Sequence, residues 1–348
     1  MRSTTQGRSD AEAPLTVGEL GEHALIERLV SAAPPAPRSV PVGIGDDAAV
    51  VEPERGTLTV ITTDALVDEV HFDRTFTTAE DIGHKALAVN LSDLAAMGAT
   101  PQHALLSLAL PETFRVSDFD ALVRGVLTLA DRHRVTLIGG NITRSSGPLF
   151  VDVTATGSVK RRRVLTRDRA RAGDELYVSG QLGGAAVGLA WLQQATAEQR
   201  ATDEQAACRQ RYLRPEPRIR LGRLLGRNRA TRACVDLSDG LADAIRQLAS
   251  ASRVGAVVEA DALPIQADAR AWFEGQGIDP VVASLAAGED YELMFTVPSS
   301  ARRRLRAVSK LVKDLRLTRI GRMTKASALV LERNGKAEPL PAGFEHFT

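Results

Sequence analysis

Aspartates beside glycine, serine or threonine recur at four places, and these residues are the first clue to the chemistry of the chain. They are Asp46 and Asp47 in VGIGDDAAVV, Thr62, Thr63 and Asp64 in ITTDA, Asp93 in NLSDLAAMG, and Asp236, Ser238 and Asp239 in VDLSDG. If these carboxylates converge, each pair repels by about 4 kcal/mol at about 4 Å and an effective dielectric of about 20. Bound cations are the simplest compensation, so the pattern predicts a metal site.

The ligand types indicate which metal. Aspartate and threonine oxygens, with almost no histidine or cysteine nearby, suit Mg²⁺ rather than zinc. Because Mg²⁺ usually keeps positions open for water and phosphate, the sequence favours nucleotide chemistry.

Each acidic site also has a simpler structural interpretation. Asp236 or Ser238 could cap the helix that follows, and Asp46 with Asp47 could form an Asx turn. Asn90 and Asp93 share one face of a predicted helix and could be a hydrogen-bonded core pair. Spacing alone does not decide between these interpretations.

The glycine-rich segments are weak evidence for phosphate binding. GIGDDA matches the G-x-G-x-x-A dinucleotide pattern, but two aspartates inside it would repel a pyrophosphate. Neither a G-x-x-x-x-G-K-[ST] loop nor the H-R-D and D-F-G motifs of protein kinases occur. GQLGGAAVG, residues 180–188, could cradle a phosphate, but close helix packing at small residues is the favoured interpretation.

Strands and helices must position these residues, and their order predicts an α/β fold in two parts. A helix over GELGEHALIERLV, strands over AAVVE and TLTVITTD, and a long helix ending before Gly98 come first. The second strand is predicted to end at Asp64. After the basic segment KRRRVLTRDRARAGD, a second α/β part begins with ELYVSG and closes with two strands. We predict a disordered lead (1–16), an N-terminal domain (17–158) and a C-terminal domain (159–348).

Composition limits the partners and the location. The 348 residues are 44% hydrophobic, enough to bury a core, and the length suggests two domains. Lys plus Arg total 44 against 43 for Asp plus Glu, so no overall charge favours nucleic acid or an acidic membrane. Cys208 and Cys234 lack metal-site spacing and are expected in the core. Without a long apolar segment, the expectation is a soluble cytoplasmic protein.

Six segments in order resemble the thiamine-monophosphate kinase family. They are GIGDDAAV, TTDALVDEVHF, KALAVNLSDLAAMGATP, LIGGN, DLSDGL and AGEDYEL. The family is related to aminoimidazole ribonucleotide synthetase, selenophosphate synthetase and the hydrogenase-maturation dehydratase. The resemblance implies a PurM-like fold of two α/β domains, a homodimer built on the N-terminal sheets, and transfer of the γ-phosphoryl group of ATP to thiamine monophosphate.

The resemblance also implies roles for individual residues. The ligands of several Mg²⁺ ions would be Asp47, Thr62, Thr63, Asp64, Asp93, Asn141, Asp236 and Asp239. The contacts to ATP would be Gly140, Asn141, Arg167 and Ser238. His71, Glu289 and Phe344 would contact thiamine monophosphate.

Three positions depart from the family pattern. Asn141 stands where the family commonly has aspartate, so any metal ligand there is a neutral amide oxygen. Ala287 replaces the first glycine of GGED, and Phe344 stands where tyrosine is frequent.

Two other functions are compatible with the acidic residues. One is another ATP-dependent enzyme of the same superfamily, for example one that activates an amide oxygen. The reactive cysteines near the termini that mark two of those relatives are missing from the sequence. The other is a non-catalytic module stabilised by Ca²⁺ or nucleotide, although Ca²⁺ favours a continuous loop over dispersed acids.

Overall fold

The computed structural model describes residues 14–343, which form two sheet-based units joined along a broad contact. The first unit has helices α1 (Val17–Leu20), α2 (Glu22–Ala32), α3 (Ala79–Ala96) and α4 (Val116–His133). Its strands are β1 (Leu58–Val67), β2 (Thr100–Pro111), β3 (Thr136–Ser145) and β4 (Phe150–Val159), in the sheet order β1-β4-β2-β3. Only the β2–β3 pair is parallel.

The second unit is built on a seven-stranded sheet. Its strands are β5 (Glu175–Ser179), β6 (Cys234–Asp236), β7 (Gly255–Glu259), β8 (Leu293–Val297), β9 (Leu317–Thr324), β10 (Leu329–Arg333) and β11 (Lys336–Pro339), in the order β11-β10-β7-β9-β5-β8-β6. Its helices are α5 (Gly184–Gln194), α6 (Ala197–Arg200), α7 (Ala206–Leu213), α8 (Ile219–Asn228), α9 (Leu241–Ser252), α10 (Ala267–Gly275), α11 (Pro280–Ala286) and α12 (Arg302–Leu311).

Helix α3 is the central element of the first unit. Thr78 caps its N-terminus by accepting a hydrogen bond from the amide of Asp81, and the chain leaves it through Gly98 at φ +68°. A Cβ on Gly83 would lie 2.0 Å from the carbonyl oxygen of Leu122, so α3 and α4 pack backbone against backbone. The helix is therefore buried around nearly its whole circumference.

The two faces of the first sheet have different surroundings. Side chains of β1 alternate between a face covered by helices, which includes Leu66 at 3% exposure, and an open face, which includes Ile61 at 68%. Leu105 on β2 is also exposed. The sheet therefore leaves one face partly apolar and uncovered in the single chain.

The two units share one hydrophobic core. It contains Leu87 and Leu91 of α3 together with Leu225 of α8 and Phe295 of β8. At Gly222 a Cβ would lie 1.9 Å from the carbonyl oxygen of Ala95, so α8 lies directly on α3. The seam between the units is thus tightly packed, and polar groups on its edges have fixed positions.

Several expectations about the elements need correction. AAVVE is not a strand, because Val50 makes only an isolated bridge to Val42. Strand β1 does not end at Asp64 but continues to Val67, since it pairs with β4 along its whole length. The predicted first helix is two helices separated by Gly21 at φ +83°, and the closing strands number three.

The predicted disordered lead ends too late, and both cysteines are in the core. Thr16, assigned to the disordered lead, is the N-cap of α1, while residues 1–13 lie outside the described residues. Cys208 and Cys234 are free and buried, as expected. Among residues 14–343, no helix combines the length and apolarity needed to cross a bilayer.

Candidate functional site

Three predicted residues of the first unit meet at the edge of the seam. Thr62 on β1 donates a hydrogen bond to the carboxylate of Asp93 on α3. Asp64, two residues along the same face of β1, lies close enough to Asp93 for the charge of that carboxylate to raise its pKa. The period of two along a strand places Thr62 and Asp64 on the helix-covered face, where α3 presents Asp93.

The second unit contributes Asp236 and Asp239 to the same place. Asp236 ends β6 and is 4% exposed, and its Oδ2 accepts a 2.7 Å hydrogen bond from the Ser92 hydroxyl of α3. Asp239 is close enough to Asp64 to raise the pKa of that carboxyl. Asp64, Asp93, Asp236 and Asp239 are called the acidic cluster below.

Crowding and burial change the acidity of the cluster. Burial, followed by the neighbouring charge of Asp93, raises the pKa of Asp64 to about 6 and that of Asp236 to about 7. Burial also raises the pKa of Asp93, against the hydrogen bond from Thr62 and the charge of Arg167. The carboxylates are therefore destabilised as anions and would gain from added positive charge.

Two loops of the second unit are interlocked beside the cluster. The amide of Glu289 donates to the carbonyl of Ser238 over 2.6 Å, and the amide of Tyr291 donates to Leu237 over 2.9 Å. A Cβ on Gly288 would lie 2.5 Å from the Ser238 carbonyl oxygen, so this approach requires glycine. The contact brings Glu289, at φ +65°, to the acidic turn.

A buried lysine joins two of the predicted substrate contacts. Lys85 on α3 is 1% exposed, and its Nζ lies 2.9 Å from Glu289 Oε2 and 3.0 Å from the carbonyl oxygen of His71. The Tyr212 ring covers the ammonium group at 3.9 Å, and its hydroxyl also donates to the His71 carbonyl. Because burial lowers the pKa of Lys85, Glu289 is the charge that stabilises the ammonium form.

The other predicted residues occupy different places in the fold. Asp47 is on the exposed loop before β1, where its amide donates to Asp46. Thr63 faces the open side of the sheet, with its hydroxyl 3.2 Å from Asp152 Oδ1. Asn141 is on β3, at the opposite edge of the sheet from β1. Phe344 lies outside the described residues.

The predicted nucleotide contacts occupy two places. Arg167 follows Thr166, whose carbonyl oxygen accepts from the amide of Cys234. The charge of Arg167 partly offsets the burial that raises the pKa of Asp93 and Asp236. Ser238 donates weakly to Asp239 over 3.4 Å. Gly140 lies on β3, where a Cβ would be 1.8 Å from the Leu106 carbonyl oxygen.

The structure decides between the two interpretations at two positions. The N-cap of α9 is Gly240 without a side-chain hydrogen bond, so neither Asp236 nor Ser238 caps this helix. At the GQLGGAAVG segment, Asp290 accepts from the amides of Gly183 and Ala185 and already fills the start of α5. Gly188 packs closely on α7, as favoured from the sequence, because a Cβ there would lie 2.3 Å from the Cys208 carbonyl oxygen.

Sequence reasoning missed several polar residues of the site. Ser92 and Lys85 lie within KALAVNLSD, and their spacing from Asp93 gave no signal that α3 would be buried all around. Tyr291, 8% exposed, lies among Glu289 and the acidic cluster, whose charges add to burial in raising its pKa. A charged or polar residue in an otherwise apolar helix was the signal that could have found Lys85.

Known protein families match most of the chain. The model of "AIR synthase related protein, N-terminal domain" matches residues 45–159, and that of the "C-terminal domain" matches residues 171–334. The thiamine-monophosphate kinase of Escherichia coli K12 is 40% identical over 341 residues, covering 94% of this chain and 98% of the relative. The chain belongs to the thiamine-monophosphate kinase family. The Bacillus subtilis member is 38% identical over 74% of this chain and 78% of its own length.

Solved structures of thiamine-monophosphate kinases share the PurM-like two-domain fold. The enzyme from Stenotrophomonas maltophilia is 40% identical, with a TM-score of 0.76, covering 91% of this chain and 96% of that one. A structure described as AaThiL complexed with AMPPCP and TMP is 33% identical, with a TM-score of 0.75 and coverage of 94% and 98%. A hydrogenase maturation protein HypE at 20% identity and a TM-score of 0.73 shows the fold alone. The fold expected from the sequence is confirmed.

Proposed function

We propose that this protein transfers the γ-phosphoryl group of ATP to thiamine monophosphate, yielding ADP and thiamine diphosphate in the last step of thiamine pyrophosphate biosynthesis. The observation that carries the proposal is the meeting of Asp64, Asp93 and Asp236 at the seam, in a chain of the thiamine-monophosphate kinase family. A relative described as complexed with AMPPCP and TMP supports both substrates.

The acidic cluster suits a hard divalent cation. Its donors are carboxylate oxygens with the Thr62 hydroxyl beside them, and the raised pKa values of Asp64 and Asp236 reflect burial together with neighbouring negative charge. Within residues 14–343, no three His, Cys, Asp or Glu side chains are grouped closely enough to hold one ion by themselves. Phosphate oxygens and water would complete the coordination, as is usual for Mg²⁺.

We assign the cluster to several Mg²⁺ ions, with Asp47, Thr62, Thr63 and Asn141 as further ligands. Bound Mg²⁺ would neutralise phosphate oxygens and stabilise the charge that develops in phosphoryl transfer. Asp47 is on an exposed loop before β1, so its carboxylate is open to a ligand. Arg167 and Ser238, beside the cluster, and Gly140 with Asn141, on β3, are the proposed contacts to ATP.

The acceptor needs no general base. A phosphate monoester with a second pKa near about 6 is largely dianionic at neutral pH and is already a nucleophile. What the protein supplies is position and charge, because two polyanions must approach each other in line. This explains why acidic side chains dominate the site and why no histidine or cysteine is needed for catalysis.

We propose that His71, Glu289 and Phe344 contact thiamine monophosphate and that Lys85 orients the first two. Glu289 is 26% exposed in its side chain, so its carboxylate can face the cationic thiamine while Lys85 holds it. Glu289→Gln should raise the KM for thiamine monophosphate with a smaller change in kcat, measured by steady-state kinetics. An unchanged KM would remove Glu289 from the substrate site.

The open face of the first sheet supports a homodimer. Asn141 on β3 is three strand spacings, about 14 Å, from β1, and it faces away from the helices. A second sheet packed on the open face would cover Ile61 and Leu105. It could also bring Asn141 of one chain near β1 of the other.

The direct test is product formation with different acceptors. Purified protein with ATP and Mg²⁺ should release ADP and form thiamine diphosphate when thiamine monophosphate is present. It should form neither product with unphosphorylated thiamine or without an acceptor. If the rate of ADP release did not depend on thiamine monophosphate, the protein would instead act on the acceptor of another enzyme of the superfamily.

A further inference from the structure

A cavity lies on the seam, and none of the residues assigned to metal, ATP or thiamine monophosphate lines it. Its volume is about 470 Å³. Strand ends of the first sheet, Gly98 after α3, one face of α8 and the end of α12 form its walls. Both units therefore contribute to one concave site of the size that small ligands occupy.

Positive charge dominates the lining of this cavity. Five cations face it, namely Lys160, Arg163, Arg220, Arg223 and Arg227, against one carboxylate, Glu54. Glu54 already accepts a 2.5 Å hydrogen bond from the Ser158 hydroxyl. The three arginines of α8 are spaced three and four residues apart, so they project from the same face of the helix.

These cations have no carboxylate partners, unlike many others in the protein. Arg214, Arg218 and Arg319 each form ion pairs with buried or half-buried acids. Within residues 14–343, none of the five cavity cations lies within ion-pair distance of an acidic group. Like charges on one helix face repel, so this arrangement costs stability unless an anion offsets it.

The backbone around the cavity is held in place by close glycine contacts. A Cβ on Gly226 would lie 2.5 Å from the Arg163 carbonyl oxygen, and one on Gly98 would lie 3.2 Å from the same atom. The turn that carries Arg163 is therefore pressed against both α8 and the end of α3. The two segments that carry the cations, the turn at 160–163 and α8, thus have backbones that are held together before any ligand arrives.

We propose that this cavity binds a small anion that carries two or more linked phosphates. Arginine presents planar, paired donors that match phosphate oxygens. Arg220 and Arg227 are about 10 Å apart along α8, so one phosphate group could not reach both of them together with the cations of the turn at 160–163. Nucleic acid fits less well, because no aromatic side chain is among the described residues that line the cavity. A bound oligophosphate would link the two units and strengthen the seam.

The test uses inorganic triphosphate as the probe, titrated calorimetrically into the full chain at low ionic strength with EDTA. EDTA removes divalent cations, so triphosphate cannot bind at the acidic cluster through metal ions. The variant is Arg220→Gln/Arg223→Gln/Arg227→Gln. The matched control is Arg303→Gln/Arg304→Gln/Arg306→Gln on α12, which removes three exposed arginines that do not line the cavity.

The variant should bind triphosphate at least about 100-fold more weakly than the unchanged protein, and the control should bind within about twofold. Pyrophosphate and ATP should compete with triphosphate, whereas orthophosphate should compete poorly. No binding to the unchanged protein, or equal binding by variant and control, would overturn the proposal. Arginine-dependent binding of a single-stranded oligonucleotide more tightly than triphosphate would also overturn it.

Discussion

Asp236→Asn is the substitution that probes the acidic cluster most directly. Asp236 is buried at the end of β6, and its Oδ2 accepts from the Ser92 hydroxyl. Asparagine keeps the shape and can still accept that hydrogen bond through its amide oxygen. The substitution therefore removes one charge from the cluster with little change in packing.

The expected change in the free energy of unfolding follows from the pKa of Asp236. The folded protein holds the pKa of Asp236 at about 7, against 3.8 for an ordinary aspartate. A difference of about 3 in pKa, at about 1.4 kcal/mol for each, amounts to about 4 kcal/mol of destabilisation when the group is ionised. Because the folded pKa is the higher one, the penalty is absent below about pH 4, grows as pH rises, and is complete above about pH 7.

The assay is urea unfolding of both proteins across this pH range, in EDTA and in Mg²⁺ with AMPPCP. In EDTA at about pH 8, we expect Asp236→Asn to be more stable by about 2 to 4 kcal/mol, and at about pH 4 to match the unchanged protein. In Mg²⁺ with AMPPCP the difference in stability between the two proteins should become smaller or change sign, because the variant lacks one ligand to the metal. Turnover should be lost in all conditions.

Asp290→Asn is the control. Asp290 is also buried, and burial raises its pKa to about 6, but it accepts from the start of α5 and lies outside the acidic cluster. Its stability relative to the unchanged protein should not depend on Mg²⁺ with AMPPCP. The reasoning is refuted if Asp236→Asn is less stable than the unchanged protein in EDTA at high pH, or if it retains turnover.

Three further substitutions test the other parts of the site. Asp64→Ala should reduce turnover by at least about 1,000-fold and leave the fold intact, because it removes a charge from a crowded site. Near-normal rates would exclude Asp64 as a metal ligand. Lys85→Met should lower the free energy of unfolding by about 3 kcal/mol, since it breaks a buried ion pair with Glu289, and should raise the KM for thiamine monophosphate more than it lowers kcat. A purely structural role would leave that KM unchanged. Ile61→Glu should shift the protein toward monomer in sedimentation, because it places a charge on the open sheet face, and an unchanged dimer would rule out that face.

The order of the helices and strands could be predicted because each has its own local sequence pattern. Helix α3 shows a long run without proline that ends at Gly98, and β1 shows a run of β-branched residues. The predicted end of β1 was wrong because pairing with β4 extends the strand past the polar residue Asp64. No local sequence pattern indicates that pairing. AAVVE was wrong because a strand needs a neighbour, and this segment has only one bridge.

The meeting of Asp64, Asp93 and Asp236 could be suspected from residue type, but their spacing in the sequence could not establish it. It depends on α8 and β6 packing against α3, a contact between residues more than a hundred positions apart. The role of Lys85 could not be predicted for the same reason, since its partners Glu289 and Tyr212 come from the second unit. The structure also separates Thr63 and Asn141 from the cluster, because strand order and strand face decide where they point.

The central claim is that the acidic cluster binds divalent cations together with the nucleotide. The most direct measurement is the electron paramagnetic resonance spectrum of Mn²⁺, used as a substitute for Mg²⁺, with AMPPCP and the unchanged protein, compared with Asp64→Asn/Asp236→Asn. The account predicts nucleotide-dependent Mn²⁺ binding that the double variant loses while it remains folded. Equal Mn²⁺ binding by the two proteins would contradict it.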